Sequence, residues 1–130
     1  MYIRFAQTRR DPVCRVAPGL FQAFHRLPRF DAQDWRHHEI RRLYGWFNRN
    51  LAVPGRLTAR VGRHGDRRGV CWFNDAASGH VSEARYLAWL LSDIGIPIEE
   101  LRSPRPRVPL WEDAHQIVVI PERRAKVTLH

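Results

Sequence analysis

One stretch of this sequence, residues 69–101, leaves little freedom in how the chain can fold. Gly69-Val70-Cys71-Trp72-Phe73 is a short run whose last four residues are apolar, of strand length. Val81 to Ile94 follows with helical periodicity, and Gly95 stands where a helix closes in left-handed backbone. Ile96-Pro97-Ile98-Glu99-Glu100-Leu101 reads as the next strand, with the proline near its start. Strand, helix and strand in that order predict a βαβ unit over 69–101, with a right-handed crossover and two parallel strands. The chain must therefore build a sheet and lay a helix on it.

The remaining pattern fits around that unit. Tyr2-Ile3-Arg4-Phe5-Ala6 reads as a first strand, broken by Asp11-Pro12. Apolar residues at 20, 21, 24 and 27 give a short helical face that Pro28 ends. Asp31 and Asp34 offer N-caps for a helix running to Asn50, with Ile40, Leu43, Tyr44, Phe47 and Leu51 as its core face. Pro54-Gly55 closes it, and 55–69 reads as a basic loop or weak hairpin. Pro104, Pro106 and Pro109 hold the next connection extended. Val108–Trp111 and Gln116–Ile120 then pair as a terminal hairpin. The expected architecture is one α+β domain over 1–121: a small mixed sheet of four or five strands, helices packed on one face, and a charged, mobile tail at 122–130.

Composition excludes several classes. A hydrophobic content of 44% with five tryptophans in 130 residues excludes global disorder. No apolar run approaches the ~18 residues of a membrane span, so no membrane role is expected. The opening MYIRFAQTRRD carries charges where a secretory signal needs an apolar stretch. Cys14 and Cys71 are too far apart for a zinc knuckle or a redox pair, and a reduced cytoplasmic protein is expected.

Charge is the strongest compositional signal. Twenty-two Lys and Arg stand against 13 Asp and Glu, giving +9 and a pI near 11.1. Lys126 is the sole lysine. Arginine in such excess suits phosphate, through its planar two-donor fork, and it also follows from GC-rich codon usage. The net charge is independent of that choice and points to a polyanion or an acidic protein partner. It is uneven: residues 1–30 and 54–70 are strongly basic, whereas 71–101 is acidic.

Three features are candidates for function. The loop Asn74 to His80 leaves a strand for a helix N-terminus, where open α/β sheets place ligands. It lacks the lysine of a P-loop and is no dinucleotide fingerprint; an ordinary connection capped by Ser78 or Asp75 is the plainer reading. The second is the back of helix 34–50. Projected from Ile40, Trp35, Trp46, Arg42 and Arg49 fall at roughly 220°, 240°, 200° and 180°. This stripe suits a protein interface, or base stacking beside phosphate contacts, with a cation–π contact of Arg42 on Trp46. Burial of both tryptophans under other segments is the competing reading. The third is the loop carrying Arg56, Arg60, Arg63, Arg67 and Arg68, a density that suits a phosphate backbone or simply a solvated loop.

Other groupings are weak. His37 and His38 are adjacent and face apart. Cys71 with His80 or His115 and Glu112 or Asp113 makes a nucleophile set on paper only, and His80 with His115 and an acid makes an equally unsupported metal site. No cofactor and no metal is expected. Helix 81–94 is apolar on most sides, which reads as core or as contact with a second copy.

Four strings occur together: Gly-Leu-Phe-Gln-Ala at 19–23, Trp46-Phe47-Asn48 with Asn50-Leu51-Ala52-Val53-Pro54, Cys71-Trp72-Phe73, and Trp111 to Val119. The set resembles a group of small uncharacterised bacterial proteins and covers most of 1–121. The resemblance implies a bacterial cytoplasmic origin and no particular activity. The sequence thus leads to a non-enzymatic binding or regulatory module that docks to an acidic protein or nucleoprotein partner. It would dock through the Trp/Arg helix face and the basic loop, with a homodimer open. The alternatives are sequence-independent nucleic-acid binding through the same arginines, and a small enzyme built on the 74–80 loop.

Overall fold

The computed structural model describes residues 1–8, 17–52, 70–106 and 109–119. Among these residues five strands and two α-helices follow in the order β1 (Tyr2–Gln7), a 3-10 helix (Gln22–Arg26), α1 (Trp35–Asn50), β2 (Val70–Asn74), α2 (Ser78–Asp93), β3 (Ile98–Ser103), β4 (Pro109–Glu112) and β5 (Gln116–Val119). The class is α+β, with both helices on the sheet face that carries Ile3, Phe5 and Phe73.

The sheet order is β3-β1-β2-β5-β4, and every neighbouring pair is antiparallel. This corrects the expected mixed pairing. Strands β2 and β3 of the βαβ unit do run in one direction, but β1 lies between them. The longest register in the sheet runs from Tyr2↔Ser103 to Gln7↔Ile98 and seats β1 firmly against β3. Its pairing with β2 is short, Tyr2↔Asn74 and Ile3↔Phe73. Beyond that point residues 17–19 take the place of β2: Ala6 bridges Gly19, and the Gln7 N–H donates to the Pro18 carbonyl at 2.7 Å. The buried Arg4 guanidinium donates to the Ala17 carbonyl, which explains how an arginine sits inside β1 at 7% exposure.

Helix α1 forms where its caps and periodicity place it. The Asp34 side chain accepts from the Arg36 N–H at 2.9 Å, and Ile40, Leu43, Tyr44 and Phe47 are buried. Phe47 carries this face to the sheet, its ring 6.0 Å from that of Phe73. Helix α2 starts at Ser78, three residues before the sequence pattern suggested. An Asx turn is the reason: Asn74 Oδ1 accepts from the Ala76 N–H and the Asn74 carbonyl from the Ala77 N–H, so the turn closes within three residues. The N-cap is Ala77, not Ser78 or Asp75. At the other end Gly95 has φ +101°, and the bonds Gly95 N–H to Ser92 O and Ile96 N–H to Leu91 O form a Schellman closure.

The two helices run antiparallel, as their side-chain ladder shows. Arg36 reaches Asp93, Tyr86 donates to Glu39, Arg42 faces Glu83, and His80 meets Asn50. Among the described residues no helix is long and apolar enough to cross a membrane.

Candidate functional site

The stripe expected on the back of α1 is split by its neighbours. Trp35 is 55% exposed, as the projection requires. Trp46 is only half-buried surface: its ring packs edge-on against Phe47 and His80, with centroids 5.0 Å away in both cases. Arg42 turns away from Trp46, with Nε on Glu39 Oε2 at 2.9 Å and Nη1 3.9 Å from Glu83. The ring-stacked cation among the described residues is Arg41, over Phe30. Arg49 is exposed and lies back along Gly45. Arg56, Arg60, Arg63, Arg67 and Arg68 lie outside the described residues, as does the tail after Pro121.

A second tryptophan joins the outer side of the helix layer. Trp89 of α2 is also 55% exposed and stacks on Tyr86, whose hydroxyl donates to Glu39 of α1 at 3.0 Å. Helix α2 is therefore mainly core, with Leu87, Leu90 and Leu91 buried, but it presents one large apolar side chain outward. A projection of 81–94 carries the signal, since Trp89 lies roughly 160° from Leu91.

The charge divides sharply between regions. The described residues hold ten arginines and ten acidic side chains, so they are net neutral. Twelve cationic side chains against three acids fall in 9–16, 53–69, 107–108 and 120–130, and these segments carry the whole +9. Within the neutral part Arg36, Arg42, Arg85, Arg102 and Arg105 are paired with carboxylates.

At the α1 C-terminus several chemically capable side chains meet. The rings of His80 and His115 stack at 4.1 Å, and His80 Nε2 donates to the Asn50 carbonyl at 2.8 Å. Gln116 is buried; its Nε2 donates to the Ala52 carbonyl and its Oε1 accepts from Cys71 Sγ at 2.9 Å. Asp113 Oδ1 accepts from the backbone N–H groups of His115 and Gln116. No sequence spacing announces this cluster, because its members come from the C-terminal end of α1, β2, α2, the β4–β5 turn and β5. Burial pushes the Cys71 thiol up to about 12, with Arg4 opposing and Asp113 reinforcing. The thiolate is therefore scarce at neutral pH, which disfavours Cys71 as a nucleophile. Asp75 lies beside the N-terminal amine at 4.0 Å. No group of three or more metal-ligating side chains occurs among the described residues.

Comparison with family models, with curated proteins and with solved structures found no match.

Proposed function

We propose that the protein is a non-enzymatic binding module that docks to an acidic protein or nucleoprotein partner. The observation that carries this reading is the separation of charge along the sequence: the described residues sum to zero, and the remaining segments hold the entire +9. Basic segments supply long-range attraction to a polyanionic partner. Trp35 and Trp89, more than half exposed on the helix layer, supply the apolar anchors that interfaces favour. Trp46 and Arg42 are largely committed to internal partners and contribute to holding that layer in shape. The bacterial cytoplasm is the compartment that fits the resemblance and the isolated cysteines.

Direct, sequence-independent nucleic-acid binding is the second reading, and it draws on the same charge separation. A small enzyme at 74–80 has less support, since the thiol is held protonated and His80 is engaged by Asn50 and His115.

The deciding experiment measures binding of the full chain to labelled single- and double-stranded DNA and RNA at two salt concentrations. If the five loop arginines each neutralise a phosphate, affinity falls about 500-fold between ~50 and ~200 mM salt. That result, unchanged in a Trp35→Ala/Trp89→Ala variant, establishes the second reading. Absence of nucleic-acid binding at low salt, with tryptophan-dependent binding to an acidic protein, establishes the first.

A further inference from the structure

A groove lies between the 3-10 helix, the chain leading into α1, and the first turns of α1. Its volume is about 160 Å³, on the order of the roughly 150 Å³ cavity that admits a benzene ring. Phe24, Phe30, Ile40 and Ile94 give it apolar walls, and Phe24 is 50% exposed at its edge. Two polar side chains, Arg41 and His37, enter the lining.

Arg41 differs from Arg36 and Arg42 of the same helix. Arg36 and Arg42 are neutralised by Asp34, Asp93, Glu39 and Glu83, whereas no acid pairs with Arg41 among the described residues. Its guanidinium carbon lies over the Phe30 ring, 3.8 Å from the centroid. A ring contact spends none of the guanidinium N–H donors on an acceptor, and these can take a carboxylate with two parallel hydrogen bonds. His37 adds a donor. Its Nδ1 accepts from the Asp31 N–H at 2.9 Å, which puts the proton of the neutral ring on Nε2. Nε2 stands 3.8 Å from Asp34 Oδ2, too far for a hydrogen bond. Asp34 itself is bonded to Arg36 at 2.7 Å and does not cancel Arg41.

We infer that this groove is a binding site for a small carboxylic acid bearing one aromatic ring, with the ring against Phe24 and Phe30 and the carboxylate on the Arg41 edge. The volume suits an occupant of about one ring, and a guanidinium with no acid partner among the described residues selects an anion. Arg41 lies roughly 120° around α1 from Trp35, so the site is separate from the docking face proposed above.

The test is an amide-resolved NMR titration of the full chain with phenylacetate, and with phenylacetamide as its neutral isostere. Phenylacetate produces saturable shifts confined to residues 24–41 and the neighbourhood of Ile94, and binds at least tenfold more tightly than the amide. Arg41→Met keeps an apolar stem on Phe30 and erases the tenfold preference; Arg49→Met, on the same helix, leaves it intact. Phe24→Ala weakens acid and amide alike. All three substituted side chains are exposed, and unchanged spectral dispersion establishes that the variants fold. Equal affinity for acid and amide, or loss of the preference in Arg49→Met, overturns the proposal. Tighter binding of acetyl-glycyl-phenylalanine than of phenylacetate overturns it too, by making a peptide terminus the occupant.

Discussion

The two ends of the helix pair are built from similar residues and use them in opposite ways. Where α1 ends and α2 begins, Trp46, His80, His115, Gln116 and Cys71 satisfy one another and the carbonyls of Asn50 and Ala52. Where α1 begins and α2 ends, ion pairs of Arg36 close the surface, but among the described residues no acid pairs with Arg41, and His37 Nε2 stands 3.8 Å from Asp34, beside an apolar groove. The lesson concerns commitment. A polar group whose hydrogen bonds are spent inside the fold gives stability and little recognition. One held in place by stacking or a single bond keeps its remaining capacity for a ligand.

The largest expected effect bears on the closed end. With the Cys71 thiol moved from 9.0 to about 12 by burial, thiolate at a given pH falls about a thousandfold. In a Cys14→Ser variant, alkylation of native Cys71 is expected to run roughly 30–60-fold more slowly than after unfolding, since the scarcer thiolate is also the more nucleophilic one. A native rate near that of a free thiol would break the comparison and bring back the enzyme reading.

Gln116 comes next. It is 2% exposed and bridges Cys71 to Ala52. Gln116→Leu leaves the Ala52 carbonyl and the thiol without that partner, at a cost of about 2 kcal/mol in denaturant unfolding. His80→Ala removes one hydrogen bond and a ring stack and costs about 1 kcal/mol. Phe24→Ala at the open end is expected to stay within about 0.5–1 kcal/mol, because half of that ring is already in water. A larger loss at Phe24 than at Gln116 would mean that the groove is structural.

These two ends also show what a sequence reveals. Local signals carried α1 completely: Asp34 caps it, and the i, i+3, i+4 spacing names Ile40, Leu43, Tyr44 and Phe47 as its core. Gly95 was equally legible, since few residues other than glycine take φ +101°. The placement of β1 between β2 and β3 was not, because pairing partners are chosen across the chain while strand pattern is local. Trp46 projects only roughly 20° from Trp35, yet it falls on the side that meets α2, so one is half-buried and the other exposed. The His80–His115 stack joins residues with no spacing relation. The exposure of Trp35 is legible from periodicity; that of Trp89, which is not among the predicted binding residues, requires a choice between core and surface that α2, apolar on most sides, does not offer by composition.

Acidification offers the smallest and most selective probe of the open end. The Arg36 side chain, and then the Arg36 backbone N–H, bond the ionised Asp34 carboxylate and hold its pKa at about 2, below the usual 3.8. A carboxylate depressed in the folded state binds protons more readily when unfolded. Its stabilisation is therefore present above 3.8 and is lost as pH falls toward 2. Glu39, Glu100 and Glu112 are lowered by Arg42, Arg85 and Arg105 and add to the same acid limb. A single melting curve cannot isolate Asp34; the difference between wild type and Asp34→Asn can. Asparagine still caps the helix but cannot ionise, so the gap in Tm should be widest near neutral pH and close as pH falls from 3.8 toward 2. A gap of constant size would mean that Asp34 acts only as a cap and that Arg36 is held by Asp93 alone. The open end would then rest on one exposed ion pair, which added salt would screen.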